Sequence, residues 1–229
     1  MKVAGHRSQI IFDCDLLLSL PLAGWPSPAM EWITRERAWP CKEVVDWLVK
    51  LPTHVIPKPR SEGDEESWRF SFSRQEIEIS NILPHNARLC YIGLKIIIKK
   101  YIKTIFSGLK SYHMLRLFLW FMEEQEPHVW WGKDACNGNF KCLMKCVAKY
   151  LENHDIPHYF ISSLNLVSMR KIEKARKQKL ENVSKFILEM TSKKNFQQKF
   201  LYDRTAYHLM VLNRPLHEKM IKDRREDEY

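Results

Sequence analysis

The stretch SWRFSFSRQEIEI, Ser67 to Ile79, changes period part-way along. Up to Phe72 it alternates, so an extended strand puts Trp68, Phe70 and Phe72 on one face and Arg69, Ser71 and Ser73 on the other. From Ser73 the apolar spacing becomes helical, and Ser73 followed three residues later by Glu76 has the pattern of a capping box. The switch predicts a strand feeding directly into a helix. An α+β fold follows, in which extended pieces lie on the N-terminal side of this junction and helices on the C-terminal side.

Upstream, the run from Gln9 to Leu22 reads as a short strand with Asp13 and Asp15 on one side. The segment Gly24 to Pro40, GWPSPAMEWITRERAWP, reads as a helix with Ser27 as its cap and Pro28 in its first turn. A second helix is predicted over Lys42 to Lys50. Thr53 to Pro59 is extended, and the polar loop RSEGDEE, Arg60 to Glu66, joins it to the Trp68 strand.

Downstream, the apolar residues between Asn86 and Phe106 form a broad stripe, with Lys95, Lys99 and Lys103 four apart on another face. Further helices are predicted over Tyr112 to Glu124 and Asn139 to Glu152, the latter carrying Phe140, Leu143, Val147 and Tyr150 inward. The segment after Met169 opens with the basic run RKIEKARKQK and continues as an amphipathic helix to Met190. Three regions result: 1–80, which holds the extended pieces, 81–168, a helical lobe, and 169–229, a basic helical tail.

The chain has 229 residues and a formal net charge of +10, which favours polyanionic partners such as nucleic acid, nucleotide phosphates or acidic lipid. With seven glycines in all, it contains neither GxGxxG nor GxxxxGK[ST], so a nucleotide must be held without those loops. The six cysteines form no paired framework, and no leader pattern or membrane-length apolar run is present; a reduced, intracellular protein, cytoplasmic or nuclear, is the reading. Cys136, Cys142 and Cys146 lie near His128 and His154, but C-x5-C-x3-C lacks the short pairing of structural zinc. Zinc is not expected, and Cys142 and Cys146 are taken as small core residues.

Among groups that could carry chemistry, Asp13 and Asp15 could share a divalent metal, or be strand-edge acids. Arg69, Ser71 and Ser73 could grip a triphosphate, or be a solvated strand face. The lysine stripe could track a phosphate backbone, and Ser111 and Tyr112 could meet a nucleotide's phosphate and base, or be a helix cap and a packed ring.

Taken in order, DLLLSL, GWPSPAMEWITRERAWP, VIPKP, SWRFSFSRQEIEI, LKIIIKKYIK, KSYHMLRLFLWFMEE and PHYFISSLNLV resemble successive blocks of the cyclic GMP-AMP synthase and Mab-21 family, from about Ile11 to Ser168. The resemblance implies a nucleotidyltransferase core with a mixed sheet, then a helical lobe, with nucleotides such as ATP and GTP bound between them and Mg²⁺ or Mn²⁺ as cofactor. By this match Asp15, rather than Asp13, is the third metal-binding and catalytic acid. Arg69, Ser71 and Glu76 match nucleotide-contacting positions, Lys95 a phosphate-contacting lysine, and Ser111 and Tyr112 a hydroxyl and a ring set against phosphate and base.

The Gly-Ser loop and Glu-x-Asp pair of that pattern do not stand ahead of Asp15. A lone carboxylate does not hold two metal ions, so these residues alone are expected to be inactive. No His followed by a cysteine cluster lies between Glu78 and Lys95, which speaks against double-stranded DNA and for double-stranded RNA or a protein partner. The functions implied are a cyclic-dinucleotide synthase of innate immunity or a non-catalytic, developmental or signalling relative that binds a nucleotide or protein. A basic nucleic-acid module using Lys99, Lys103 and Arg170 to Lys179 is the third reading.

Overall fold

A computed structural model describes residues 18–57, 67–130, 135–167 and 174–193. The fold is α+β, a small sheet followed by a helical lobe. Three strands, β1 (Leu20–Pro21), β2 (His54–Pro57) and β3 (Trp68–Ser71), pair in that order, and every described pairing is antiparallel. In the register Val55 faces Phe70, and Ile56 faces Arg69. Between β1 and β2 lie a short 3-10 turn (Ser27–Ala29), α1 (Met30–Thr34) and α2 (Lys42–Lys50). The predicted first strand is described only from Leu18 onward; Asp13 and Asp15 lie outside the described residues.

The helical part comprises α3 (Ser73–Asn81), α4 (His85–Ile97), a π-helical turn (Ile98–Ile102), α5 (Lys103–Ile105), α6 (Ser111–Glu123), a 3-10 turn (Pro127–Trp130), α7 (Ala135–Glu152) and α8 (Lys174–Ser192). The long helix predicted between Asn86 and Phe106 is thus one rod with a π turn inside it. That turn inserts an extra residue per loop of backbone, and Ile98 and Ile102 stay buried while Lys95, Lys99, Lys100 and Lys103 stay exposed. Helix α8 packs against α7 and α5.

One cluster of buried apolar side chains runs from Ala29 to Met190, so the sheet side and the helical side share a core. Its centre near the strands is aromatic. The rings of Phe72 and Phe160 stack with centroids 4.6 Å apart, Trp32 meets Phe160 at 4.9 Å, and Trp25 meets Phe72 at 5.4 Å. Offset and edge-on contacts of this kind add to the burial of large apolar surfaces. They fix the 158–160 segment against the start of α3.

Four local readings differ from the sequence. The turn before α1 is preceded by Pro26, and Ser27 makes no capping bond; Trp25 Nε1 instead donates to Ala29 O at 2.8 Å. Helix α3 is entered from Phe72 with no side-chain cap, because Ser73 Oγ lies 2.9 Å from Ser71 Oγ and Glu76 turns to Arg116. On β3, Trp68 is 46% exposed while Phe72 is buried, since Trp68 stands at the outer end of the last described strand. In α7 the buried stripe is Phe140, Leu143, Met144, Val147, Ala148 and Leu151; Cys142 falls off it and is exposed, and Cys146 is half-buried.

Candidate functional site

Strand β3 and helix α3 place Arg69, Ser71 and Glu76 within eight residues of each other around the bend at Phe72. Arg69 is exposed on the strand face opposite Phe70. Gln75 ties the other side of α3 to the β2 approach, its Nε2 donating to Leu51 O at 3.1 Å and Thr53 Oγ1 at 3.2 Å. Glu76 is therefore held on the side that faces α6.

Its partner there is Arg116, whose Nη2 forms an ion pair with Glu76 Oε1. Arg116 is only 7% exposed, in the apolar run of α6, and its Nε and Nη1 have no hydrogen-bond partner. Burial pushes the Glu76 carboxyl above its ordinary range, and the Arg116 charge pulls it back down. Tyr91 on α4 sits in the same field; burial, then the Glu76 charge, push its phenol up to about 12. Lys95, one turn on, carries its ammonium 5.0 Å from the Tyr91 ring centroid, a cation–π distance.

His158 closes the group from the segment after α7. Its Nδ1 accepts the backbone N–H of Phe160 and of Ile161, each at 3.2 Å. Its Nε2 lies 3.5 Å from Arg116 Nη2. Burial, then the charges of Arg116 and Arg69, push the imidazole down to about 3, so it is neutral at physiological pH.

Of the residues singled out in the sequence, Glu76 pairs with Arg116 and Lys95 lies over Tyr91, while the charges of Arg69 and Glu76 are felt at His158 and Tyr91 respectively. Ser71 adjoins them, its hydroxyl engaged with Ser73. Ser111 and Tyr112 occupy the exposed first turn of α6, one turn before Arg116, and the Tyr112 ring lies 4.0 Å from the ring of His113. His113 Nδ1 in turn accepts the Lys110 backbone N–H at 3.0 Å, which fixes that turn. Asp15 lies outside the described residues, and among these no three or more His, Cys, Asp or Glu side chains converge as a metal site requires.

A separate cavity of about 540 Å³ lies between residues 35–38 and the end of α6. It shares no lining residue with the Arg116 group. Arg35 dominates it: Nε and Nη2 donate to the two carboxylate oxygens of Glu31 at 2.8 and 2.9 Å, Nη1 to Glu123 at 3.2 Å, and Nη2 to Tyr159 O at 3.2 Å. The guanidinium also lies 4.1 Å from the Trp120 ring centroid.

Two family models match this chain. The Mab-21 protein nucleotidyltransferase domain matches residues 1–79, and the Mab-21 protein HhH/H2TH-like domain matches residues 86–190. The chain belongs to the Mab-21 family. The second match runs through most of α8, past the last block quoted from the sequence.

Relatives include a cyclic GMP-AMP synthase from Sus scrofa, 29% identical over 72% of this chain and 37% of its own length. A cyclic GMP-AMP synthase-like receptor from Ctenocephalides felis is 26% identical over 49% of the chain and 26% of its own length. A protein mab-21-like from Aedes aegypti is 23% identical over 68% of the chain and 42% of its own length. The chain thus spans little more than a third of the synthase it matches.

Arg116, His158 and Tyr91 were not singled out by motif. A signal for Arg116 was available: it is the one charged residue in the run MLRLFLWFM, and a charge forced into a core must find a partner. His158 carried none, since its role depends on a loop geometry that spacing does not encode.

Proposed function

We propose that this chain carries the nucleotide-gripping side of a nucleotidyltransferase cleft, of the kind that binds ATP or GTP in a cyclic-dinucleotide synthase of innate immunity. The supporting observation is the joined group Arg69, Glu76, Arg116 and His158, extended through Tyr91 to Lys95, where β3, α3, α4 and α6 meet. Arg69, Arg116 and Lys95 outnumber the one carboxylate of the group, Glu76, and that excess of positive charge suits a polyphosphate. Arg69 and Lys95 are the phosphate-binding cations, Glu76 and Ser71 the hydrogen-bonding groups for the nucleoside, and Ser111 with the exposed Tyr112 ring the flank for phosphate and base. Strand β3 and helix α3 supply one wall and α4 and α6 the other.

Asp15 is the residue that would hold Mg²⁺ or Mn²⁺, which supplies charge neutralisation on a transferring phosphoryl group when bound. Nucleotide binding is the activity assigned to the group around Arg116. Double-stranded RNA or a protein partner is the proposed activator, and the intracellular space the proposed setting.

Calorimetry with ATP and with GTP, with and without Mg²⁺ or Mn²⁺, tests this reading. Saturable binding that weakens about tenfold or more in Arg69→Ala and Lys95→Ala is expected, the loss of a charge-assisted contact each. No binding under any of these conditions would replace it with a non-catalytic, protein-binding role in development or signalling.

A further inference from the structure

The tautomer of His158 follows from its contacts. A ring nitrogen that accepts two backbone N–H groups must present its lone pair, so Nδ1 of His158 is bare and the proton of the neutral imidazole sits on Nε2. Nε2–H therefore faces Arg116 Nη2 at 3.5 Å as donor against donor, and no hydrogen bond joins them. Arg116 adds Nε–H and Nη1–H, both buried and without partners. Against three donors lacking an acceptor stands a single carboxylate, Glu76, already paired through Nη2.

Buried donors in this number are costly when unmet, each by more than a satisfied pair gains. An acceptor with several lone pairs and negative charge would satisfy them together. Glu76, 17% exposed at its side chain, marks the side from which solvent reaches the pair. Arg69, whose charge is felt at His158, adds to the pull on an anion.

We infer that Arg116 and His158 form an oxyanion subsite that takes a phosphate oxygen, with Glu76 as the internal carboxylate that occupies Arg116 until the anion arrives. The subsite deepens the nucleotide reading given above, since it names where a phosphate of that nucleotide is seated, but the two stand or fall separately. Arg116 binds the anion through the guanidinium fork, and His158 donates from Nε2 because the Phe160 and Ile161 amides lock its ring. Removing the carboxylate charge at position 76 frees Arg116, so Glu76→Gln strengthens phosphate binding instead of weakening it.

The test uses the full chain labelled with ¹⁵N-histidine. In its ring spectrum His158 is expected to show a protonated Nε2 and a bare Nδ1, and titration with inorganic phosphate and with ATP is expected to shift the Nε2–H resonance. By calorimetry, Glu76→Gln is expected to bind inorganic phosphate more tightly than the native chain. Glu76→Gln combined with Arg116→Met is expected to lose about tenfold or more relative to Glu76→Gln alone. Arg116→Lys, which keeps the charge and loses the fork, is expected to fall between, and serves if the double variant does not fold.

A proton on Nδ1, an Nε2–H resonance indifferent to both anions, or equal affinity in Glu76→Gln with and without Arg116→Met would overturn the subsite. A response to inorganic phosphate with none to ATP keeps the subsite and removes the nucleotide reading. ATP binding that is lost in Arg69→Ala but unchanged by Arg116→Met on the Glu76→Gln background does the reverse.

Discussion

Arg35, which reaches α6 from the segment after α1, and Arg116, which lies on α6, differ in how their donors are met. Arg35 donates to both oxygens of Glu31, to Glu123 and to the Tyr159 carbonyl, with its face on Trp120, and every one of its nitrogens is engaged. Arg116 has one ion pair and two idle nitrogens. A guanidinium whose donors are all met from within the chain is complete, and its work is to lock the segment after α1 onto α6 and the 159 loop. One left short of acceptors costs the fold stability that a packed apolar side chain would not. The first is read as a clamp, the second as a receptor.

Breaking the clamp is expected to give the largest effect. Arg35→Met leaves the buried Glu123 carboxylate, already raised in pKa by its burial, with the longer Arg37 ion pair at 3.9 Å, and loosens Glu31, whose carboxyl the Arg35 bond holds low. A loss of about 3–5 kcal/mol is expected in urea-induced unfolding, the usual cost of removing one partner of a buried pair. At the receptor, Glu76→Gln is expected to cost less, about 1–3 kcal/mol, because its carboxylate lies nearer solvent. Unlike Arg35→Met, that loss is expected to be largely reversed by adding 0.1 M phosphate, since a ligand that binds only the folded state stabilises it. Equal insensitivity of both variants to phosphate would erase the distinction between clamp and receptor.

The same contrast has a pH signature. His158 titrates near 3 in the fold and near its ordinary 6.5 when unfolded, so below 6.5 the unfolded chain binds a proton that the folded chain refuses. The stability due to neutral His158 is therefore fully present above about 6.5 and drains away as pH falls toward 3, by up to about 1.4 kcal/mol per pH unit. The groups that face it are Arg116 and Arg69, with the rings of Phe72 and Phe160. His158→Asn keeps an acceptor for the two backbone amides and removes the titration. Its melting temperature is expected to fall less steeply than that of the native chain between pH 6.5 and 4.5; parallel profiles would place the proton uptake elsewhere.

Most of the elements were legible in the sequence because their signals are local. Helix α2 spans Lys42 to Lys50 as its pattern required, and the change of period at Phe72 marks the step from β3 to α3. What could not be read are the choices made between distant segments. Ser73 followed by Glu76 satisfies the capping pattern, yet Arg116, forty residues on, offers the Glu76 carboxylate a charged partner that a local cap does not. The π turn at Ile98–Ile102 is invisible for the same reason: it reconciles the burial of Ile98 and Ile102 with neighbours on other helices. The half of the site that depends on side-chain type, Arg69, Glu76 and Lys95, was accessible by motif, and the half that depends on tertiary pairing, Arg116 and His158, was not.

The smallest effect on stability is expected where the effect on binding is large. Arg69 is exposed, sits on the last described strand, and makes none of the described ion pairs, so truncating it removes little that holds the fold. Arg69→Ala is expected to shift unfolding by no more than about 0.5 kcal/mol, as surface substitutions do. In the nucleotide reading it nevertheless loses a cation from the mouth of the Arg116 group, and ATP affinity falls about tenfold or more. Because Arg69 also lowers the pKa of His158, its loss is expected to let that histidine titrate at a higher pH in the native spectrum. A drop in ATP affinity with an unmoved His158 titration would mean that Arg69 binds nucleotide away from the receptor, and that the two halves of the site are neighbours that do not act on the same anion.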